Sequence, residues 1–488
     1  MKKFLSLILA LCLCLGLMAC GGGESEGAEG TDGGKTSQKG GVFMAGFGMR
    51  DITPKDSVPL DSYGDARDRM STGLYSKLEA RAVVLKDANG DMLVFATGDV
   101  SWCPAGLGNV IRDDMSGELG IPKEYIILSG THTHASVAVG LTDIPSVGRF
   151  NDRYIAGMED AIRDAVADLK PTKVFVGSVD VEGMNFVRRY IMDDGSLTGD
   201  NAYGTGTVID HHESEADPEV GLLKFVREGG KDILISNFQA HPHLEGKTTN
   251  VSAQTVGAIR DAVEAEIGAH SLHWQGAAGN LNTQSRIADE NKYTNQDRVK
   301  YGQDMVKQIK TVYNDMTEVN SGPVKVIEKT FTGKTNHVYD HVVIQAQKVV
   351  DYFNSGHTAG ETATYAHQLS AESGLDVRIN SYYHANRILG NAKLGATSDL
   401  PVAAWSFGDV GGVVNAYEMF DVTGMYIKEN SPFVRTFITG YSYPGGGGYI
   451  PTAEGFKNGG YEADNCRFAP GTAEEIADTL LGMLNDMK

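Results

Sequence analysis

Two short stretches carry the residue types from which a catalytic centre is built. In YIILSGTHTHASVAVGL, residues 125–141, an apolar β-type run ends in Ser129-Gly130 and delivers His132 and His134, two residues apart. In NFQAHPH, the run ILISNF ends in His241 and His243 at the same spacing. Side chains at i and i+2 of an extended chain share a face, so each pair directs both imidazoles to one spot beyond its strand. Neutral imidazole is a common metal ligand, and two strand ends that each present His-x-His point to a zinc centre. A catalytic zinc also needs a third protein ligand and an open position for water.

Those strand ends need a scaffold, and the chain reads as alternating strands and helices. KLEARAVVLKD and DMLVFATGDV flank the turn Ala88-Asn89-Gly90, a hairpin signal. DRYIAGMEDAIRDAVADLK sets Ile155, Met158, Ile162, Val166 and Leu169 at helical spacing, with Asn151 or Asp152 as its cap. KVFVGSVDV, VGLLKFV and DILISNFQAH read as strands, VSAQTVGAIRDAVEAEIG as a second amphipathic helix, and SLHWQGAAG as a strand running into a Gly-rich turn. Trp274 and Phe238 lie in apolar strands and read as core. Thr472-Ala-Glu-Glu475 reads as a capping box opening the last helix. With no internal repeat and no linker after residue 41, the economical architecture is a single large α/β domain, residues 42–488, with mixed β-sheets flanked by helices.

The chain opens MKKFLSLILALCLCLGLMAC, a positive start and an apolar run too short to span a bilayer comfortably. It resembles a bacterial lipoprotein signal, residues 1–20, in which Cys20 becomes the lipid-carrying terminus. Residues 21–41 are rich in Gly, Ser and Glu and read as a flexible tether. The expectation is a protein lipid-anchored to the cell membrane, on its extracytoplasmic face. A formal net charge of −20 with no basic stripe makes nucleic acid an improbable partner. Behind Cys20 only Cys103 and Cys466 remain, which is no disulfide framework; whether the two meet is left open.

Other motifs narrow the chemistry. A metallo-β-lactamase-like hydrolase needs an aspartate where Ser136 stands, while an amidohydrolase barrel stays compatible with the first histidine stretch alone. No G-x-S-x-G elbow is present, so a lipase-like serine mechanism is disfavoured. The run Gly445–Gly448 lacks the Lys-Ser/Thr of a phosphate loop. His337 and His341 of HVYDHVV lack the glutamate of HExxH and read as structural.

Across nearly the whole mature domain, AGFGMRDITP, LEARAVVLKD, SGTHTH, DPEVGLLKF, FQAHP, QGAAGNLN and GYIPT…GGYE follow one another in an order that resembles the neutral/alkaline ceramidase family. The resemblance implies a zinc amidase that splits an N-acyl bond in a sphingolipid, with one zinc per chain held by His132, His241, Glu418 of NAYEMFD and Tyr449 of GGGGYIPT. It also implies active-site roles for His134, for Tyr461 twelve residues beyond Tyr449, and for Arg188 or Arg189 of NFVRRY, with Arg188 preferred. The family's Gly-rich turn leads to a functional serine, and here that position is Asn282. Asparagine cannot accept an acyl group, although it can position substrate or donate to an oxyanion. THTH continues Ala-Ser-Val rather than Ser-Gly-Pro, and the family's C-terminal immunoglobulin-like domain has no counterpart before the chain ends in TAEEIADTLLGMLNDM.

The expectation is therefore a membrane-anchored zinc hydrolase of an N-acyl amide in a ceramide-like or other N-acyl lipid, by attack of activated water. Two rivals accompany it: a zinc hydrolase of an ester or small N-acyl compound, and a catalytically degenerate, ligand-binding lipoprotein.

Overall fold

The strand Glu79–Lys86 is buried at six consecutive positions, as a strand covered on both faces must be. The computed structural model describes residues 41–199, 208–336, 340–373, 379 and 381–488. The signal segment with Cys20, the tether up to residue 40, and His337 lie outside the described residues. In the larger sheet, β1 (Met44–Asp51), β2 (Glu79–Lys86), β3 (Met92–Gly98), β4 (Ile126–Gly130), β5 (Lys170–Asp180), β6 (Glu219–Arg227), β7 (Ile233–Phe238) and β8 (His270–Gln275) lie in the order β8-β7-β6-β5-β1-β2-β3-β4. Thr317–Val319 adds a ninth strand against β5. The β3–β4 and β7–β8 pairs are parallel, so β4 and β8 each run out beside a parallel neighbour. A second sheet holds β9 (Val324–Lys334), β10 (Thr397–Phe407), β11 (Val410–Asn415) and β12 (Arg435–Thr439) in that order.

The two sheets face each other. Phe95 and Trp274 of the larger sheet meet Trp405 and Phe437 of the smaller one, with Phe95–Trp405 ring centroids 4.9 Å apart. Full burial of a side chain such as Phe95 contributes about 1.5–3 kcal/mol. On the outer face of the larger sheet, α1 (Ala105–Leu119) and α2 (Pro145–Ala167) cover Ala80, Ala82 and Val84. Next to them, α3 (Gln254–Glu266) and α4 (Arg298–Val312) cover Leu222, Leu234 and Phe238. Three helices, α5 (Asp340–Asn354), α6 (Ala359–Ser373) and α7 (Tyr382–Asn391), are inserted between β9 and β10 around a small core of their own. The far face of the second sheet is closed by α8 (Asp421–Asn430) and α9 (Thr472–Met487), with Ile427, Leu480 and Leu484 against Val402, Ala404 and Val413. The result is a four-layer α/β/β/α unit, the single large α/β domain with mixed sheets that the alternation of strands and helices predicts.

Three local expectations need correction. The helix over 152–170 starts earlier, at Pro145, because proline at the first helical position needs no amide partner and Ile144 ends the incoming loop. Asn151 lies inside it and donates to Val139 O at 3.0 Å, so neither it nor Asp152 is the cap. At the last helix, Gly471 in a left-handed conformation is the cap and Glu474 accepts from Ala453 N at 2.8 Å, so the Thr472–Glu475 capping box does not form. Cys103 and Cys466 are both buried and unpaired, the first between the larger sheet and α1–α2 and the second beneath α9.

Candidate functional site

The histidines are delivered by turns rather than by strand alternation. β4 ends at Gly130, and His132 sits in the left-handed region at φ 62°, so the chain bends at that residue. The bend is pinned from below. Asp99, fully buried at the end of β3, receives Thr131 Oγ1 at 3.1 Å, Glu79 N at 2.7 Å and Arg260 Nη1 and Nη2 at 2.9 and 2.7 Å. Gln254 Oε1 accepts from His134 N at 2.8 Å, and Arg69 Nη2 donates to His134 O at 2.7 Å. His241 lies beyond β7, its N donating to Leu281 O at 3.0 Å.

Turn geometry also brings in the carboxylate. The Gly276–Gly279 turn after β8 runs so close to residue 418 that a Cβ on Gly279 would lie 2.6 Å from Glu418 O; only glycine fits there. Glu418–Met419 pairs in parallel with Tyr449–Ile450, with Glu418 opposite Tyr449, and the two side chains are hydrogen-bonded. Gly447 in the preceding glycine run is similarly required, because its Cβ would lie 2.7 Å from Ala416 O.

The convergence is tight. His241 Nε2 lies 3.1 Å and His132 Nε2 3.7 Å from Glu418 Oε2, and His132 Nε2 is 3.2 Å from His134 Nε2. His132 Nδ1 donates to Ser101 O at 3.0 Å, and His241 Nδ1 donates to Ala278 O and Leu281 O at 2.9 and 3.0 Å. Carbonyl partners on Nδ1 fix the tautomer and leave each Nε2 lone pair facing the centre, the orientation seen in metal-binding histidines. Burial, reinforced by the neighbouring His241, pushes the His132 imidazole down to about 3. Burial, then the Arg188 charge, takes His243 to about 4. Burial likewise holds His134 and His241 well below the ordinary value. All four rings are neutral at neutral pH, the form that ligates metal. Burial raises the Glu418 carboxyl, opposed by His132 and Arg188.

These residues fit a metal. His241 Nε2 and Glu418 Oε2 are buried polar atoms with no hydrogen-bond partner, an arrangement whose cost a bound cation removes. Ligands about 2.0–2.1 Å from a tetrahedral zinc lie about 3.3 Å from one another, close to the separations of this cluster. The donor atoms of His132, His134 and His241 all lie within 4.8 Å of one another. His132 and His241 are thus common to the geometric triad and to the ligand set that the resemblance implies, while His134 and Glu418 compete for the next place.

The remaining predicted residues gather on one side. Arg188 is buried and donates Nε to Glu462 Oε1 at 2.9 Å and Nη2 to Gly279 O at 2.9 Å, while Nη1 lies 3.5 Å from Asn282 Oδ1. Its guanidinium carbon stands 5.3 and 5.8 Å from the ring centroids of Tyr449 and Tyr461, which are themselves 5.4 Å apart. Arg189 points elsewhere, to Glu213, Glu462 and the carbonyls of Gly455 and Gly459. Asn282 forms a bridge with His241 and a side-chain hydrogen bond with His243. His341 lies on α5, far in sequence from any of these elements.

Sequence reading missed Asp99, Glu462, Tyr441 and Tyr63, which edges the rings of His134 and His243 at 5.4 and 6.0 Å. Of these only Glu462 had a local signal, its place beside Tyr461 in GGYE.

Among curated proteins, the chain is 25% identical over 196 residues to a neutral ceramidase of Oryza sativa subsp. japonica, covering 38% of this chain and 24% of that protein. It is 24% identical over 197 residues to neutral ceramidase 2 of Arabidopsis thaliana, covering 38% and 25%. The matches thus span about a quarter of these relatives' length. Among solved structures, a ceramidase complexed with C2 superposes with a TM-score of 0.68 at 16% identity, over 91% of this chain and 75% of that one. The neutral ceramidase from Pseudomonas aeruginosa gives 0.68 at 17% identity, over 91% and 74%. Those likenesses establish the fold. The model of the neutral/alkaline non-lysosomal ceramidase N-terminal region matches residues 43–412, a stretch that carries both histidine pairs and the Gly-rich turn, and by that match the chain belongs to this family.

Proposed function

We propose that this protein is a zinc-dependent hydrolase of an N-acyl amide bond in a ceramide-like or other N-acyl lipid, anchored outside the cell membrane through Cys20. The observation that carries the reading is the meeting of His132, His241 and Glu418 around unpartnered buried atoms, in a chain of the ceramidase family. His132, His241, Glu418 and Tyr449 would hold one zinc. Zinc in such a donor set makes water nucleophilic at neutral pH and polarises a carbonyl.

The chain's own residues supply the rest. Glu462 and Gly279 O hold Arg188 in place, so its Nη1 can meet the substrate's carbonyl oxygen without reorganising. Burial raises the Tyr461 hydroxyl, which stays protonated and donates to the oxygen as charge develops. His134, neutral and with Nδ1 unpartnered, moves a proton towards the departing nitrogen. Asn282, tied to His243 and facing Arg188, orients the amide. Asparagine at this position also favours the rival of a degenerate ligand-binding lipoprotein.

The test is metal per chain by elemental analysis in the parent, His132→Ala and His134→Ala, followed by assays on N-acyl lipids and matched esters. The expected result is about one zinc in the parent, none in His132→Ala, and zinc without turnover in His134→Ala. Loss of zinc in His134→Ala would make that histidine a ligand. A zinc-loaded parent that cleaves no amide would leave the binding reading or the ester reading, which the matched esters separate.

A further inference from the structure

Tyr441 lies in Gly440–Tyr443, a segment between β12 and Tyr449–Ile450 that no motif marks. Its φ is 53°, a left-handed conformation that residues with a Cβ rarely adopt and that persists only where the surroundings impose it. They do so at each step. Gly440 N donates to Gln275 O at the end of β8, Tyr441 O accepts from Gly130 N at the end of β4, and Ser442 N donates to Asn415 O at the end of β11. One short segment therefore ties together the strand ends that lead to the Gly-rich turn, to His132 and to Glu418.

The conformation lays the Tyr441 ring on the imidazole of His132, with centroids 3.8 Å apart and planes 23° from parallel. The hydroxyl is buried and has no hydrogen-bond partner. A phenol is protonated at neutral pH and so is available as a donor. Glu418 Oε2 is the unpartnered acceptor of the same cluster. A purely structural tyrosine would gain nothing from a strained backbone and an unsatisfied buried hydroxyl.

Resting on the zinc reading above, we propose that Tyr441 is a positioning residue of the metal centre, its ring fixing the plane of His132 and its hydroxyl donating to the Glu418 carboxylate when metal is bound. Partners of this kind orient ligands, and their loss commonly costs about 10–100-fold in metal affinity or activity.

The experiment compares the full chain with its Tyr441→Phe and Tyr441→Leu variants. The readouts are zinc affinity by chelator competition, the visible spectrum of the cobalt-substituted protein, kcat and KM, and the melting temperature without metal. Tyr441→Phe keeps the ring and removes only the hydroxyl. It should weaken zinc binding about 10-fold, shift the cobalt spectrum and lower kcat more than it raises KM. Its metal-free form should melt no lower than the parent, since the lost group has no partner there. Tyr441→Leu, which also removes the stack, should lose more affinity. Zinc affinity and cobalt spectrum unchanged in Tyr441→Phe would overturn the proposal, as would a fall in metal-free melting that accounts for the whole effect. A parent that binds no zinc would remove the function proposed above, whereas a zinc-binding parent indistinguishable from Tyr441→Phe removes this inference alone.

Discussion

Replacing Arg260 with methionine tests how the bend at His132 is held. Arg260 and Asp99 form a bidentate pair at 2.9 and 2.7 Å, both essentially inaccessible to water, and Asp99 also receives Glu79 N and the Thr131 hydroxyl. Methionine fills a similar volume but leaves the Asp99 carboxylate buried with no countercharge. Breaking a buried pair from one side costs about 3–5 kcal/mol, against a total stability of about 5–15 kcal/mol for a folded domain. Asp99 touches Thr131, the residue before His132, so the loss should fall on the site as well as on the fold. Urea unfolding of the metal-free protein should show an unfolding free energy lowered by that amount, through a lower midpoint at unchanged slope, and zinc affinity should fall alongside. Pairing Arg260→Met with Asp99→Leu, which removes both charges, should recover part of the loss. A destabilisation below about 1 kcal/mol in the single variant, the value of an exposed pair, would refute the argument that this buried pair holds the turn.

Asn282→Ala should retain zinc yet lower kcat about 100-fold, the usual effect of removing one preorganised donor; unchanged turnover on the best N-acyl substrate would show that Asn282 does not touch the reacting amide. Acid should destabilise the protein through His273, which burial, then the nearby Arg260 charge, holds at about 3. The unfolded chain, with an ordinary histidine near 6.5, binds more protons between those values, so stability falls as pH drops from about 6.5 towards 3, by about 1.4 kcal/mol per pH unit for this residue. His273→Gln should make the slope of unfolding free energy against pH shallower by that amount, and an unchanged slope would mean that the ring is already protonated in the folded state.

The strand order could not be read from one chain, but the strands could, because β2, β3, β6 and β7 are apolar runs bounded by turn residues. The histidine pairs were legible for the same reason: each follows such a run. Alternation along an extended chain does not bring His132 to His134, since the chain turns at His132 with φ 62°. What holds the rings together is non-local: Asp99, Arg260, Gln254 and Arg69, none adjacent in sequence. Tyr441 was invisible for a similar reason, since its role depends on three strand ends meeting around a backbone conformation that no residue pattern encodes. The start of α2 was missed because Ile144 caps without a side-chain hydrogen bond, leaving no Ser, Thr, Asp or Asn to mark it.

The two arginines of NFVRRY show what the fold adds to the sequence. Both reach Glu462, which is almost completely buried and accepts Arg188 Nε on one oxygen and Arg189 Nη1 on the other. Arg188 stands between two short strands, Phe186–Val187 and Arg189–Met192, while Arg189 opens the second of them. Arg189 spends its other nitrogens on Glu213 and on the carbonyls of Gly455 and Gly459, in the segment just before the helix that carries Tyr461. Arg188 is left with Nη1 beside Asn282 and its plane near Tyr449 and Tyr461. Glu462 therefore balances one of the two cations and Glu213 the other, which leaves Arg189 tied to the backbone and Arg188 beside Tyr449 and Tyr461, where the proposed function needs it. Removing it would free a cation in the site rather than merely weaken a salt bridge. Sequence alone ranks the two arginines almost equally; the shared carboxylate separates them.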